Sequence, residues 1–326
     1  MINWGILGLG RMASVFAESF KNQKNIKLKG IASYSNLRNF GKKFNIDKNF
    51  FYEHYSELLK SPDIDAVYIS TLNNSHYHII IEAINNNKKI LCEKPFVISL
   101  EEAKIIYEKL NKKRHSFVEA IAYRSHPILD EILSIINNGE IGDIKEIHSS
   151  FGFKVRKVRK KSRLFNKELG GGSILDLGCY PISFAELFRN KFGKIEYLKT
   201  SGSFAFPEVD DHAELEYVMN DNIYVNAKVS FKEHLSNDCI IYGSKKKLRV
   251  TTPWLPGQKS IIEIYQGDNY YKKFIISKKN VYSHQLNLIS NYFSENFENN
   301  FNNIVTIDKS YNILKILDYW MKRIKN

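Results

Sequence analysis

The sequence predicts an α/β chain in two parts. A doubly wound parallel sheet occupies residues 1–122, and an α/β domain with a large, open, mainly antiparallel sheet occupies residues 123–326. Three observations lead there. A glycine turn, Gly8-Leu9-Gly10-Arg11-Met12-Ala13, joins an apolar run to a helical pattern close to the start. Strand and helix signals then alternate through the first 120 residues, the mark of a parallel sheet. After Tyr123 longer segments of alternating polarity take over, the mark of a half-buried antiparallel sheet.

The first strand is Ile2-Asn3-Trp4-Gly5-Ile6-Leu7, and Val15, Phe16 and Phe20 carry the helical period after the turn. Between a strand and a helix, this glycine spacing suits a dinucleotide pyrophosphate. The first glycine permits the turn, the second admits the phosphate to the backbone, and the small Ala13 lets helix pack on strand. Free N–H groups and the positive helix end favour the phosphate, so Gly8, Gly10, Arg11 and Met12 are candidate contacts. A second strand follows over 26–33, then helical spacing of Leu37, Phe40 and Phe44, then a short connection through Phe51-Tyr52. Residues 65–70 make an apolar strand, 76–83 open a helix and 89–92 make a strand. Residues 100–110 make a helix with Glu101 and Glu102 in its first turn, where acids suit the dipole, and 116–120 the sixth strand. Beyond Tyr123, His126-Pro127 introduces a helix over 128–136. Segments 145–153, 196–204, 213–219, 224–231, 239–242, 247–251 and 261–265 predict one broad sheet, interrupted by a helix over 176–188. Helices over 284–297 and 308–322 close the chain. No linker rich in Pro, Gly or Ser separates the two parts, so the handover near Tyr123 is direct.

A chain of 326 residues can bury a large core, its hydrophobic fraction of 43% is that of a globular protein, and no segment approaches membrane-span length. Cys92, Cys179 and Cys239 are odd in number and far apart, which argues for a reducing compartment and against a structural zinc site. No metal is expected, and with no export signal evident a cytoplasmic location is expected. The net charge of +13 reflects Lys and Asn spread over solvated faces, and no nucleic-acid module signature accompanies it. One local exception is Lys154-Val155-Arg156-Lys157-Val158-Arg159-Lys160-Lys161-Ser162-Arg163. Its plain reading is a solvated loop, and its sharper reading is an attractor for an anionic substrate such as a sugar phosphate, a uronate or a nucleotide-linked sugar.

Chemistry concentrates at two strand ends. Glu93-Lys94-Pro95 follows the fifth strand at its C-terminal end, the edge where open α/β sheets bind ligands. A lone loop lysine is usually just solvated, yet from this edge Lys94 can reach a bound cofactor or substrate. The end of the second strand decides the cofactor. NAD sites usually carry an acid there for the ribose 2′-hydroxyl, and this chain reads Ala32-Ser33-Tyr34-Ser35-Asn36-Leu37-Arg38, with none. Ser33, Ser35 and Arg38 suit a 2′-phosphate, which favours NADP over NAD.

Further segments appear in one order along both halves: Thr71-Leu72-Asn73-Asn74-Ser75-His76, Glu93-Lys94-Pro95, Glu119 through Pro127, and Arg163-Leu164-Phe165 through Gly170-Gly171-Gly172-Ser173-Ile174-Leu175-Asp176-Leu177-Gly178-Cys179-Tyr180-Pro181. With these the chain resembles the Gfo/Idh/MocA oxidoreductases. The resemblance implies a Rossmann domain and an NAD(P)-dependent dehydrogenase or reductase acting on CH–OH groups of a sugar, cyclitol, polyol or keto-sugar. It puts Lys94 beside the nicotinamide and the reacting oxygen, often with a cis Lys–Pro bond, and Asp176 and Tyr180 in the substrate pocket. Four residues apart on a helix, Asp176 and Tyr180 share one face. Tyr180 then serves as an acid/base whose pKa a nearby ammonium lowers, and Asp176 orients substrate hydroxyls or holds Lys94. Whether Lys94 or Tyr180 moves the proton stays open. Tyrosine in place of the commoner histidine resembles the subgroup with glucose–fructose oxidoreductase, dimeric dihydrodiol dehydrogenase and xylose 1-dehydrogenase. The resemblance also assigns Thr71, Asn73, His76 and Glu93 to the cofactor side, and Arg124, His126 and Arg163 to the substrate side. Tyr34 stands where NADP-using members often have arginine, so NAD stays as the alternative cofactor. A homodimer or homotetramer through the open sheet is implied. Two other classes compete: an NAD-dependent glycoside hydrolase working by transient redox, and a non-enzymatic NAD(P)-binding regulator. Nothing favours the first, and intact Lys94, Asp176 and Tyr180 speak against the second.

Overall fold

The computed structural model describes residues 1–21, 23–189, 193–220, 222–267, 269–294 and 302–324. Contacts divide the chain into two units, residues 1–125 with 280–311, and residues 126–279 with 312–326. In chain order the principal helices are α1 (Arg11–Ala17), α2 (Leu37–Phe44), α3 (Tyr55–Lys60), α4 (His76–Asn85), α5 (Leu100–Leu110), α6 (Pro127–Asn137), α7 (Cys179–Ala185), α8 (Val281–Ser294) and α9 (Ile307–Arg323).

The first unit is built on a six-stranded parallel sheet in the order β3-β2-β1-β4-β5-β6: β1 (Ile2–Leu7), β2 (Ile26–Ala32), β3 (Phe51–Tyr52), β4 (Ala66–Ile69), β5 (Lys89–Glu93) and β6 (Phe117–Ala120). This is the doubly wound order that the alternating pattern predicts. Helices cover both faces, so β4 is buried at every residue and reads as an unbroken apolar run. Residues 51–52, which the sequence presents as a connection, form the edge strand β3. Two residues carry no period that a pattern could register. The core gathers around Trp4, whose indole meets Phe16 edge-on at 6.1 Å. Residues 280–311 return to this unit. Phe293 of α8 lies 5.8 Å from the Trp4 ring, and Trp4 Nε1–H donates to Ser290 Oγ at 3.1 Å. The Glu119 N–H also donates to the Val305 carbonyl at 2.9 Å. The sequence places α8 over 284–297, and its last three residues lie outside the described ones.

The second unit carries an eight-stranded sheet in the order β14-β13-β12-β11-β7-β10-β9-β8: β7 (Ile144–Gly152), β8 (Ile195–Phe206), β9 (Val209–Met219), β10 (Ile223–Ser230), β11 (Cys239–Gly243), β12 (Lys247–Val250), β13 (Lys259–Gln266) and β14 (Asn269–Ile276). Among the described residues only the β7–β10 pair is parallel, so the sheet is mainly antiparallel, as expected. Alternation decides which face is inward. Ala213, Leu215 and Tyr217 of β9, with Val225, Ala227 and Val229 of β10, are fully buried, and Glu214 and Glu216 face the other way. The sequence reading omits β14. This edge strand is exposed on both faces over Asn269–Lys273, so its side chains show no alternation. Among the described residues, no helix is long and apolar enough to cross a membrane, and no group of His, Cys, Asp and Glu is arranged to hold a metal.

Candidate active site

In the first unit, four loops meet the C-terminal edge of the parallel sheet. The turn after β1 requires glycine at Gly8, where φ is +83° and an added Cβ would lie 2.8 Å from Thr71 Cγ2. Ser70 Oγ–H donates to the Gly8 carbonyl at 2.9 Å and holds the turn. Gly10 caps α1 with no side-chain hydrogen bond, and a Cβ built on it meets nothing within 4 Å. That open space above a helix start is where a pyrophosphate fits. Arg11 is exposed and Met12 half-buried beside it.

At the end of β2, Ser33 is buried and its hydroxyl accepts the Ser35 N–H at 3.3 Å. Ser33, Tyr34, Ser35 and Arg38 line a cleft of about 590 Å³. Tyr34 stands out from it, 72% exposed, its ring 5.0 Å from that of Tyr55. The fold also brings Glu53, from the segment after β3, into this cleft. The sequence shows no acid at the strand end, and this one arrives from twenty residues downstream.

After β4, Thr71 Oγ1 accepts from Ser75 Oγ at 2.7 Å, and Asn73 is buried with Nδ2 lacking any partner among the described residues. A buried amide left open at this edge suits a polar ligand, and with Gly8 and Gly10 it makes the residues present fit a dinucleotide. His76 sits deeper than the resemblance implies. It is 0% exposed, with Nδ1 3.0 Å from the Pro95 carbonyl and Nε2 3.3 Å from that of Thr71. Burial pushes its pKa down to about 4, so at neutral pH the ring is neutral.

After β5 the Lys94–Pro95 peptide is cis, as the resemblance implies. Glu93 accepts the Lys94 N–H on Oε2 at 3.3 Å and the Tyr68 hydroxyl on Oε1. Tyr282 of α8 feels Glu93, Lys94 and Arg11 at once. Burial and Glu93 raise its phenol, while Lys94 and Arg11 lower it. Tyr282, which no sequence motif marked, is thus within electrostatic reach of the first residue of α1 and of the turn after β5. Arg124 is buried, and its Nη2 donates to the Asn302 carbonyl at 2.8 Å.

In the second unit the glycine-rich segment leads into a π turn, Ile174–Gly178, and then α7. The sequence reads this stretch as one α-helix, and the widened turn carrying Asp176 is a difference the i,i+4 argument did not foresee. Asp210 of β9 sets the turn. Its Oδ2 accepts from Ser173 Oγ at 2.6 Å and from the Ile174 N–H at 2.8 Å. Gly172, at φ +117°, leaves it room, since a Cβ there would lie 2.4 Å from Asp210 Oδ1. Asp176 is 5% exposed and accepts from Arg163 Nη1 at 2.9 Å, so two residues named separately from sequence form an ion pair. Tyr180 is half-buried, edge-on to Phe151 at 5.1 Å and 6.3 Å from Trp254. His126 is buried as the N-cap of α6, accepting the Ile128 N–H on Nδ1 at 3.2 Å. Residues 154 and 156–161 are exposed.

Two family models match the chain in succession. A family model described as the oxidoreductase family, NAD-binding Rossmann fold, matches residues 2–120, and the GFO/IDH/MocA C-terminal domain matches residues 130–249. The trans-1,2-dihydrobenzene-1,2-diol dehydrogenase of Xenopus tropicalis is 28% identical over 258 residues, 78% of this chain and 76% of its own length. An uncharacterized oxidoreductase of Rhizobium meliloti is 32% identical over 57% of this chain and 56% of its own. The fold resembles that of aldose-aldose oxidoreductase from Caulobacter crescentus, with a TM-score of 0.85 and 20% identity, covering 99% of this chain and 97% of that one. It also resembles KijD10, a 3-ketoreductase from Actinomadura kijaniata solved with NADP and TDP-benzene, with a TM-score of 0.83 and 19% identity over 97% and 96% of the two chains. With one family's two domain models matched in succession, and their strands and glycine turns folded as those domains require, this chain belongs to the Gfo/Idh/MocA family of NAD-binding oxidoreductases.

Proposed function

We propose that the chain is an NADP-preferring dehydrogenase or reductase acting on a carbinol or carbonyl carbon of a sugar-like or cyclic vicinal-diol substrate. Bound nicotinamide supplies the hydride acceptor or donor. The observation that carries the reading is Lys94, placed directly after β5 on the ligand-binding edge of the parallel sheet, with its N–H held by Glu93. Its ammonium stabilises negative charge on the reacting oxygen as the hydroxyl proton leaves or arrives. Tyr180 is the proton-transfer partner in this scheme, its ring packed against Phe151 and Trp254. Asp176, held by Arg163, orients substrate hydroxyls. On the cofactor side we assign Gly8, Gly10, Arg11, Met12, Ser33, Tyr34, Arg38, Thr71, Asn73 and Glu93, with His76 acting from behind. Residues 1–125 with 280–311 serve the cofactor. The remainder serves the substrate and self-association into a homodimer or homotetramer in the cytoplasm.

The relatives support the substrate class, since their names specify a cyclic diol and an aldose. The test is an initial-rate screen with D-xylose, D-glucose, their phosphates and trans-1,2-dihydrobenzene-1,2-diol, with NADP and NAD in turn. Turnover with NADP on at least one substrate is expected, and Lys94→Ala should lower kcat about 10²- to 10⁴-fold. Absence of turnover with every compound and of binding by both cofactors refutes the reading.

A further inference from the structure

The peptide group between Pro95 and Phe96 is held at both polar ends by buried side chains. His76 Nδ1 lies 3.0 Å from the Pro95 carbonyl, and the Phe96 N–H donates to Glu119 Oε1 at 3.1 Å. The two side chains come from different elements, His76 from the start of α4 and Glu119 from β6. Phe96 and Val97 are themselves buried, so no water competes at this peptide. At neutral pH the His76 ring carries one N–H, and the shorter contact puts it on Nδ1.

A peptide plane has one donor and one acceptor on opposite edges. Fixing both removes its rotation about the Cα–Cα axis, and with it the orientation freedom of the residue upstream. That residue is Pro95, bonded directly to Lys94, whose own N–H is fixed by Glu93. Holding this geometry has a cost. Burial pushes His76 down and Glu119 up from their ordinary values, so each ionisable group opposes its own burial. Both costs fall at a single peptide, directly after the lysine.

We propose that His76 and Glu119 are positioning residues for Lys94: they clamp the Pro95–Phe96 peptide and so aim the ammonium at the reacting oxygen. The proposal rests on the reading of Lys94 given above. Neither side chain needs to touch cofactor or substrate, which accounts for a motif histidine lying fully inside the unit.

The test compares Glu119→Met with Glu119→Gln and His76→Leu with His76→Asn, each alone and combined with Lys94→Met. Readouts are kcat and KM with NADP and trans-1,2-dihydrobenzene-1,2-diol, the Kd for NADP, and hydrogen exchange of the Phe96 amide. Glu119→Met and His76→Leu should lower kcat about 10- to 100-fold, the scale of a small misplacement of a reacting group. Their KM and Kd should stay within about threefold, since binding groups are untouched. Phe96 exchange should accelerate in Glu119→Met. Gln and Asn keep an acceptor and a donor in place and should recover most of the rate. In the Lys94→Met background neither loss should add further. Equal damage from Gln and Met would show that charge matters and the clamp does not. A full additional loss without Lys94 would show action independent of it. Were Lys94→Met to keep the wild-type rate with the Phe96 amide still protected, the reading of Lys94 would fall, distinguishable from failure of the clamp.

Discussion

Glu119→Gln should change how the stability of the first unit depends on pH. Glu119 is 4% exposed. Its carboxyl faces Glu93 and Lys94 from the end of β5 and Ser310 from α9. Burial raises its pKa from 4.5 to about 7, against the opposing pull of the Ser310 hydroxyl, the Phe96 N–H and the Lys94 ammonium. A carboxyl with a raised folded-state pKa holds its proton more tightly in the folded chain. Its contribution to stability is full below 4.5 and is lost as pH rises through about 7. At about 1.4 kcal/mol per pKa unit, that span amounts to about 3 kcal/mol. Glutamine fills the same space without titrating. The stability difference should therefore shift by about 3 kcal/mol in favour of Glu119→Gln between mildly acid and mildly alkaline pH. His76 works in the opposite sense. Its folded-state pKa is depressed from 6.5 to about 4, so its stabilisation is lost as pH falls through that interval. Between about 4.5 and 6.5 the two slopes offset in the wild type, and removing Glu119 uncovers the histidine slope. Urea denaturation at stepped pH, with hydrogen exchange of peptides covering β5 and β6, measures this. A difference between the two proteins that does not vary with pH would refute the argument, because Glu119 would then titrate alike in the folded and unfolded chains.

Four further outcomes follow from the site. Arg38→Ala should weaken NADP binding about tenfold, the scale of one charge-assisted hydrogen bond at an exposed position, and leave NAD nearly unchanged; Glu53→Gln should strengthen NADP binding, and fluorescence titration reads both. Asp210→Ala strips acceptors from Ser173 and Ile174 and should destabilise the second unit by about 2–4 kcal/mol, with Asp210→Asn milder, as read by denaturation. Reversing charge at Lys157, Arg159 and Lys160 should raise KM for a phosphorylated aldose at low ionic strength and not for the free sugar, and an unmoved KM marks the segment as a plain solvated loop.

The sequence announces features that act over short distances. A glycine turn between strand and helix, a lysine at a strand end and the period of β9 and β10 are each written within a dozen residues, and the structure has each in place. Features set by long-range packing left no such mark. Trp4 and Phe293 become neighbours across almost the whole chain, and an amphipathic helix does not say which core it will cover. Asp210 reaches the π turn from a strand that reads as ordinary sheet, and Glu53 joins the Ser33 cleft from behind β3. His76 shows a subtler gap. Its motif follows β4 at the C-terminal edge of the parallel sheet, yet pattern alone could not tell a surface ring from one turned inward onto a carbonyl.

The return of residues 280–311 to the first unit bears on any attempt to work with that unit alone. A fragment ending at Ser125 would leave the Trp4 indole without Phe293, the Glu119 amide without Val305 and the Arg124 guanidinium without Asn302. The NAD-binding unit is thus sewn shut by thread from residues 280–311. Excising it as one piece, or grafting it onto another catalytic half, would require carrying both stretches together.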